Sequence, residues 1–407
     1  MRRNELDYFL GSLLEFDKNV SDIIMTVGRP MQVEVHGNLH PVPISPFIDS
    51  LTPFQTEMIA LNLIGGSKRL TEDLLKHGAC DTSYSLGGRA RFRVNVFSQR
   101  GSISIVLRKL NAEIPQFKDL WLPEVMLNAA KEKTGLVLVT GATGSGKTTT
   151  LASLINNINA VHPIHIITLE DPVEFIYEQN KATINQRELG TDFDTFSSGL
   201  RAALRQAPKV ILVGEMRDRS TVEIALNAAE TGHLVFSTLH TIDAGQTINR
   251  ILGMFEQEEQ EQVRIRLADT LRWVFSQRLI PKVGGGRFPL VEIMGNNMRT
   301  KETIVLGESE GKSFYEIIEA SNTFGWRNFD NASLEAYKAN IISEETAIAY
   351  CSRRGVVARG IDQIKKTRGE MIGKGADLRM ASAPEPGTDR PASKPLPPLP
   401  GTIKLKM

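Results

Sequence analysis

An α/β protein with helices crossing over a parallel sheet is predicted, and three observations predict it. Four apolar runs, GLVLVTG from Gly135, IHIITLED from Ile164, KVILVGE from Lys209 and HLVFSTLH from His233, each close in polar residues with helix-like stretches between them. The first run leads directly into Gly141-Ala142-Thr143-Gly144-Ser145-Gly146-Lys147-Thr148, a full phosphate-loop pattern lying between a strand and a helix-like TTTLASLINNIN. Ahead of both, an N-terminal region alternates apolar and polar residues, the mark of short half-buried strands.

Taken in order, residues 21–43 read as short strands punctuated by Gly28, Pro30 and Gly37. Over 89–97, Phe92, Val94 and Val96 point one way and Arg91, Arg93 and Asn95 the other. A turn at Ser98-Gln99-Arg100-Gly101 returns the chain through 102–107 to Arg108 and Lys109, giving a hairpin with an arginine-rich face. Alternation alone makes that face solvated. Residues 1–110 are thus expected to form a first domain and 111–299 the strand-helix domain. Residues 300–370 read as helical, with apolar spacing in LEAYKANIISEETAIAY and breaks expected at Gly325 and Gly355. From 371 a tail follows in which seven of the 19 prolines fall, a composition that cannot build a packed core.

Composition removes several classes of function. Lys plus Arg is 48 against 47 for Asp plus Glu, a net charge of +1, and only 6% of residues are aromatic. A general nucleic-acid binder needs a basic stripe and stacking rings, so no nucleic-acid partner is expected. The first residues turn acidic at once without the apolar segment of a secretory signal, so a cytoplasmic place is expected. Two cysteines, Cys80 and Cys351, cannot make a four-cysteine zinc site, and no zinc is expected.

The chemistry rests on residues 141–148 and Thr149 beyond them. Glycines let successive NH groups turn inward around phosphates at a helix N-terminus, whose dipole favours negative charge. Lys147 would bridge the β- and γ-phosphates of ATP, and the Thr148 hydroxyl would reach Mg²⁺. Polar clusters at the ends of the later strands fall where an open parallel sheet places its ligand crevice. Glu170, Asp171 and Glu174 are placed to hold Mg²⁺ through water or to activate the attacking water, and Glu215 to organise the metal. His240, of the pair His233 and His240, suits a γ-phosphate hydrogen bond. Positive charge against the transition state is often supplied across a subunit boundary, and Arg93, Arg108 and Arg250 are the candidates.

Together GATGSGKTTTLASLINNIN, ITLEDPVEF, LRAALR, VILVGEMRD, ETGHLVFSTLHTIDA and INRILGMF resemble the secretion ATPases, and within them the PilT-like pilus retraction motors. The resemblance runs over about 5–370 and is most specific over 135–255. It implies a homohexamer in which a PAS-like N-terminal domain joins a RecA-like P-loop ATPase domain, held by a protein partner, the platform protein, at the inner membrane. By it the Asp box maps to 170–174, Walker B to Glu215 and the His box to 233–240. Glu174 becomes the general base, and Arg250, Arg93 and Arg108 the arginines approaching a neighbour's nucleotide. The assembly members carry an extra N-terminal domain and a four-cysteine module, both missing here, so retraction is expected. Two departures point to an auxiliary, PilU-like role beside a paralogous retraction ATPase. Ala207-Pro208-Lys209 stands where Asp-Pro-Asp is usual, and ETIVLGESEGKSFYEII shows no AIRNL-type motif.

Overall fold

The computed structural model describes residues 3–44, 48–110 and 113–370, so the expected proline-rich tail lies outside the described residues. The chain divides into two compact units, Met1–Ile361 and Asp362–Met407. Both sheets belong to the first. The second is described only for residues 362–370, which carry the end of the last helix.

The N-terminal part runs α1 (Arg3–Leu14), β1 (Val20–Met25), β2 (Gln32–Val35), β3 (Asn38–Pro41), α2 (Pro53–Ile64), α3 (Lys68–His77), β4 (Ala79–Leu86), β5 (Ala90–Gln99) and β6 (Ser102–Leu110). The six strands pair in the order β3-β2-β1-β6-β5-β4, antiparallel throughout. Alternation decides β5 as expected: Phe92, Val94 and Val96 are fully buried, each contributing about 1.5–3 kcal/mol, while Arg93 is exposed. A capping box between Thr52 and Gln55, with Pro53 in the first turn, starts α2, which packs on β6. The hairpin register sets Arg93 directly opposite Arg108. Like charges so placed repel, and the Arg108 Nε relieves the pair by donating to Asp22 Oδ1 at 2.9 Å.

The second sheet is built from β7 (Gly135–Thr140), α4 (Lys147–Val161), β8 (His165–Glu170), β9 (Thr183–Glu188), α5 (Phe196–Ala203), β10 (Val210–Val213), α6 (Arg219–Glu230), β11 (Leu234–Leu239), α7 (Ala244–Leu252), α8 (Gln257–Thr270), β12 (Leu271–Pro281) and β13 (Arg287–Gly295). Strand order is β13-β12-β7-β11-β10-β8-β9. The four expected strands are its centre, all parallel, and the α/β class holds. Beyond these strands the sheet is mixed at one edge, where β13 runs antiparallel to β12. Residues 282–286 are too short for a crossover and can only fold the chain straight back.

The C-terminal part is helical: α9 (Met298–Leu306), α10 (Phe314–Glu319), α11 (Phe329–Lys338), α12 (Glu344–Tyr350) and α13 (Arg354–Arg368). Gly325 does end a turn, at φ 77. Gly355 does not: it lies in the first turn of α13, and the break falls just before, where the buried Asp330 carboxylate accepts the NH groups of Ser352 (2.6 Å) and Arg353 (3.0 Å). Two apolar cores result, one spanning Leu6 to Leu107 and the other Leu122 to Trp326. Among the described residues no helix is long and apolar enough to cross a membrane.

Candidate active site

β7 is buried along its whole length, and at its end the chain wraps residues 141–146 before Lys147 opens α4. Two glycines are obligatory. At Gly141 (φ 146) a Cβ would lie 2.3 Å from the Gln277 carbonyl, and at Gly146 (φ 89) 2.8 Å from Gln277 Nε2. Gln277 itself clamps the loop, its Nε2 donating to the Ser145 carbonyl at 2.8 Å and its Oε1 accepting from Thr150 Oγ1 at 2.8 Å. The Lys147 ammonium donates to the carbonyls of Gly141 (2.9 Å) and Ala142 (3.0 Å). Burial pulls its pKa down, against the opposing carboxylates of Glu215 and Glu174.

The loop borders an open cleft of about 560 Å³ at the C-terminal ends of the strands, the crevice position of a parallel sheet. Thr143, Gly144, Gly146, Lys147, Thr148 and Thr149 line it together with Glu170, Asp171, Glu174, Glu215 and His240. Gly141, Ala142 and Ser145 shape the loop without lining the cleft. Burial raises the Glu174 carboxyl, and a hydrogen bond from Thr148 together with the charges of Arg93 and Lys147 hold it down. Glu215 pairs with Arg217, and its Oε2 lies 3.5 Å from His240 Nε2.

Glu170 lines the cleft while bonded within its own chain. Its carboxyl is buried, accepts from Thr168 Oγ1 (2.6 Å), Gln186 Nε2 (3.2 Å) and the Glu174 backbone, and is pushed up to about 7 by desolvation. Three donors of its own chain engage this carboxyl, which thereby fixes the loop that bears Glu174. Among the described residues no three His, Cys, Asp or Glu side chains gather as a metal cluster. The Thr148 hydroxyl, which lines the same cleft as Glu215 and Asp171, fits Mg²⁺ carried in on phosphates, since such sites supply few protein ligands.

The three expected arginines separate. Arg93 lines the cleft of its own chain, whereas Arg108 is held by Asp22 on the first sheet and Arg250 is exposed in the last turn of α7. Sequence reasoning missed Arg217 and Arg287, which also line the cleft, and Gln277 behind it. Gln277 left no signal, since it stands between Ser276 and Arg278 in the mixed sequence of β12.

A family model described as type II/IV secretion system protein matches residues 82–322. The type IV pilus retraction ATPase PilT of Pseudomonas aeruginosa is 38% identical over 330 residues, spanning 81% of this chain and 94% of that protein. The type IV pilus ATPase PilU of the same organism is 36% identical over 338 residues, spanning 83% and 86%. A crystal structure of the pilus retraction motor PilT with bound ADP superposes with a TM-score of 0.77 at 41% identity, covering 87% of this chain and 98% of that one.

Proposed function

The chain belongs to the type II/IV secretion system protein family, and from that premise we propose that it is an ATP-hydrolysing ring motor of a type IV pilus, working in retraction. One observation carries the chemistry: a lysine-bearing phosphate loop whose Thr148 hydroxyl bonds the raised, half-buried carboxyl of Glu174 in one cleft. Glu174 is the general base that takes a proton from the attacking water, its raised pKa matching that task. Lys147 leaves its loop carbonyls for the β- and γ-phosphates, and His240 on Glu215 faces the γ-phosphate. Mg²⁺, when bound, neutralises phosphate charge, and Thr148, with Glu215 and Asp171 through water, would hold it. A neighbour's Arg250 or Arg108 completes the site, with Arg93 acting from the cleft wall. The motor is a homohexamer in which residues 1–110 move against 111–299. It sits on the cytoplasmic side, held to the inner membrane by the platform protein on which it works.

The 38% identity to PilT, spanning 81% of this chain and 94% of that protein, supports retraction. A second reading has its own support: identity to PilU is nearly as high, and Ala207-Pro208-Lys209 replaces two acids before Glu215. In that reading the chain is an auxiliary ring that turns over only beside a paralogous motor. Steady-state ATP hydrolysis as a function of protein concentration separates them. A rate per subunit that climbs with concentration supports the ring motor. Nucleotide binding without turnover, relieved by a paralogue, supports the auxiliary ring. Glu174→Gln is expected to lower turnover by about 10²- to 10⁴-fold with nucleotide still bound, and normal turnover would remove Glu174 from its role.

A further inference from the structure

Arg91 points to the same side of β5 as Arg93, yet it does not reach the nucleotide cleft. Its guanidinium pairs with Glu188 at the end of β9, in an ion pair whose side chains retain 20% and 9% of their exposure. Ser83 on β4 completes the junction, accepting from Arg91 at 3.1 Å and donating to Glu188 Oε1 at 2.6 Å. The Glu188 Oε2 that meets Arg91 also accepts the backbone NH of Val173 at 3.0 Å. Val173 immediately precedes Glu174, whose own NH is taken by Glu170. The segment bearing the general base is therefore slung between two buried carboxylates. Glu170 belongs to the second sheet alone, whereas Glu188 is tied to the first sheet through Arg91 and Ser83. A second tie runs beside it, from Arg69 Nε on α3 to the Gly190 carbonyl at 3.1 Å.

We infer that Arg91 is a positioning residue for hydrolysis, acting through Glu188 and the Val173 amide to set where Glu174 lies. Displacing the first sheet withdraws the guanidinium, frees Glu188 and lets the segment at 171–177 drift. The site then keeps its phosphate-loop contacts and loses its base, together with Arg93, which is carried by the same strand. Nucleotide grip is thereby separated from turnover, and turnover is made conditional on the placement of the first sheet. The inference rests on the hydrolysis reading above.

The test compares wild type with Arg91→Ala, Arg91→Lys and Glu188→Gln in the full chain, by ATPase kinetics, fluorescent ADP titration and amide hydrogen exchange of peptides covering 171–177. For Arg91→Ala, kcat is expected to fall about 10- to 100-fold, the cost of misplacing a reacting group by about an ångström. KM and ADP affinity should stay within about twofold, since ground-state binding is untouched. Exchange at 171–177 should rise, and Arg91→Lys, which keeps one charged donor, should recover most of kcat. Unchanged kcat and exchange in all three variants would overturn the inference. So would a KM increase at constant kcat, because Arg91 would then be a binding residue. If Arg91→Ala unfolds, Glu188→Gln and Arg91→Lys carry the comparison, since both keep the bulk of the side chain. If the wild type itself does not hydrolyse ATP, the hydrolysis reading fails, while exchange at 171–177 still decides whether Arg91 holds the segment.

Discussion

Glu170 and Glu292 are both buried carboxyls, and burial pushes each up to about 7, above the ordinary glutamate range. Neither is idle: Glu170 holds the Glu174 segment, and Glu292 accepts the Ala244 NH at 2.9 Å, fixing the start of α7 just beyond His240. Between roughly pH 4.5 and 7 the folded chain holds protons at these sites that the unfolded chain has released. Stability contributed by these groups is therefore full at the acid end, declines as pH rises through that window, and above it stays lower by about 2–4 kcal/mol per site. Glu170→Gln keeps an acceptor for Thr168 and Gln186 without the ionisation. Its loss of melting temperature between pH 5 and 8 should consequently be smaller than that of wild type, and at pH 8 it should be the more stable protein. Thermal unfolding at both pH values measures this, and identical pH slopes would refute it.

At the scale of elements, legibility follows periodicity. The central strands β7, β8, β10 and β11 were readable because each is a continuous apolar run closed by polar residues, and the β5-β6 hairpin because its alternation is strict. β9 was not readable: TINQRE buries only Ile184 and Glu188, so an edge strand with polar faces leaves no pattern. β13 was missed as an antiparallel partner because direction depends on the loop before it, not on the strand's composition. In the site the glycine loop announced itself, since backbone geometry demands glycine. Gln277 and Arg91 act through partners more than 90 positions away, and one sequence carries no trace of such pairings. Gln277 yields the prediction at this scale. Gln277→Ala strips Ser145 and Thr150 of their buried partner, which should cost about 1–3 kcal/mol of stability. Because the same bonds hold the phosphate loop, ADP affinity should fall about tenfold, or about 1.4 kcal/mol. Fluorescent ADP titration beside thermal unfolding separates the two effects. Lost stability with intact affinity would make Gln277 a core residue and nothing more.

For the whole molecule the open question is whose arginine serves whose nucleotide. Arg250 is exposed at the end of α7 and does not line the cleft of its own chain, while Arg93 does. An exposed arginine that does not line its own cleft gains a catalytic role only if a second copy brings it up, as a head-to-tail ring would. That arrangement predicts complementation. Arg250→Ala protein has an intact phosphate loop and no arginine to lend; Lys147→Ala protein has the arginine and no working loop. Each alone should be nearly inactive. Mixed one to one and allowed to exchange subunits, about one site in four around the ring joins an intact loop to an intact arginine, so measurable activity should return. Were Arg250 to act within its own chain, no mixed interface would be whole and the mixture would stay as dead as its parts. Arg93→Ala sharpens the contrast: because Arg93 lines its own cleft, the same mixing should restore nothing if it serves in cis, and restoration would assign it to the neighbour.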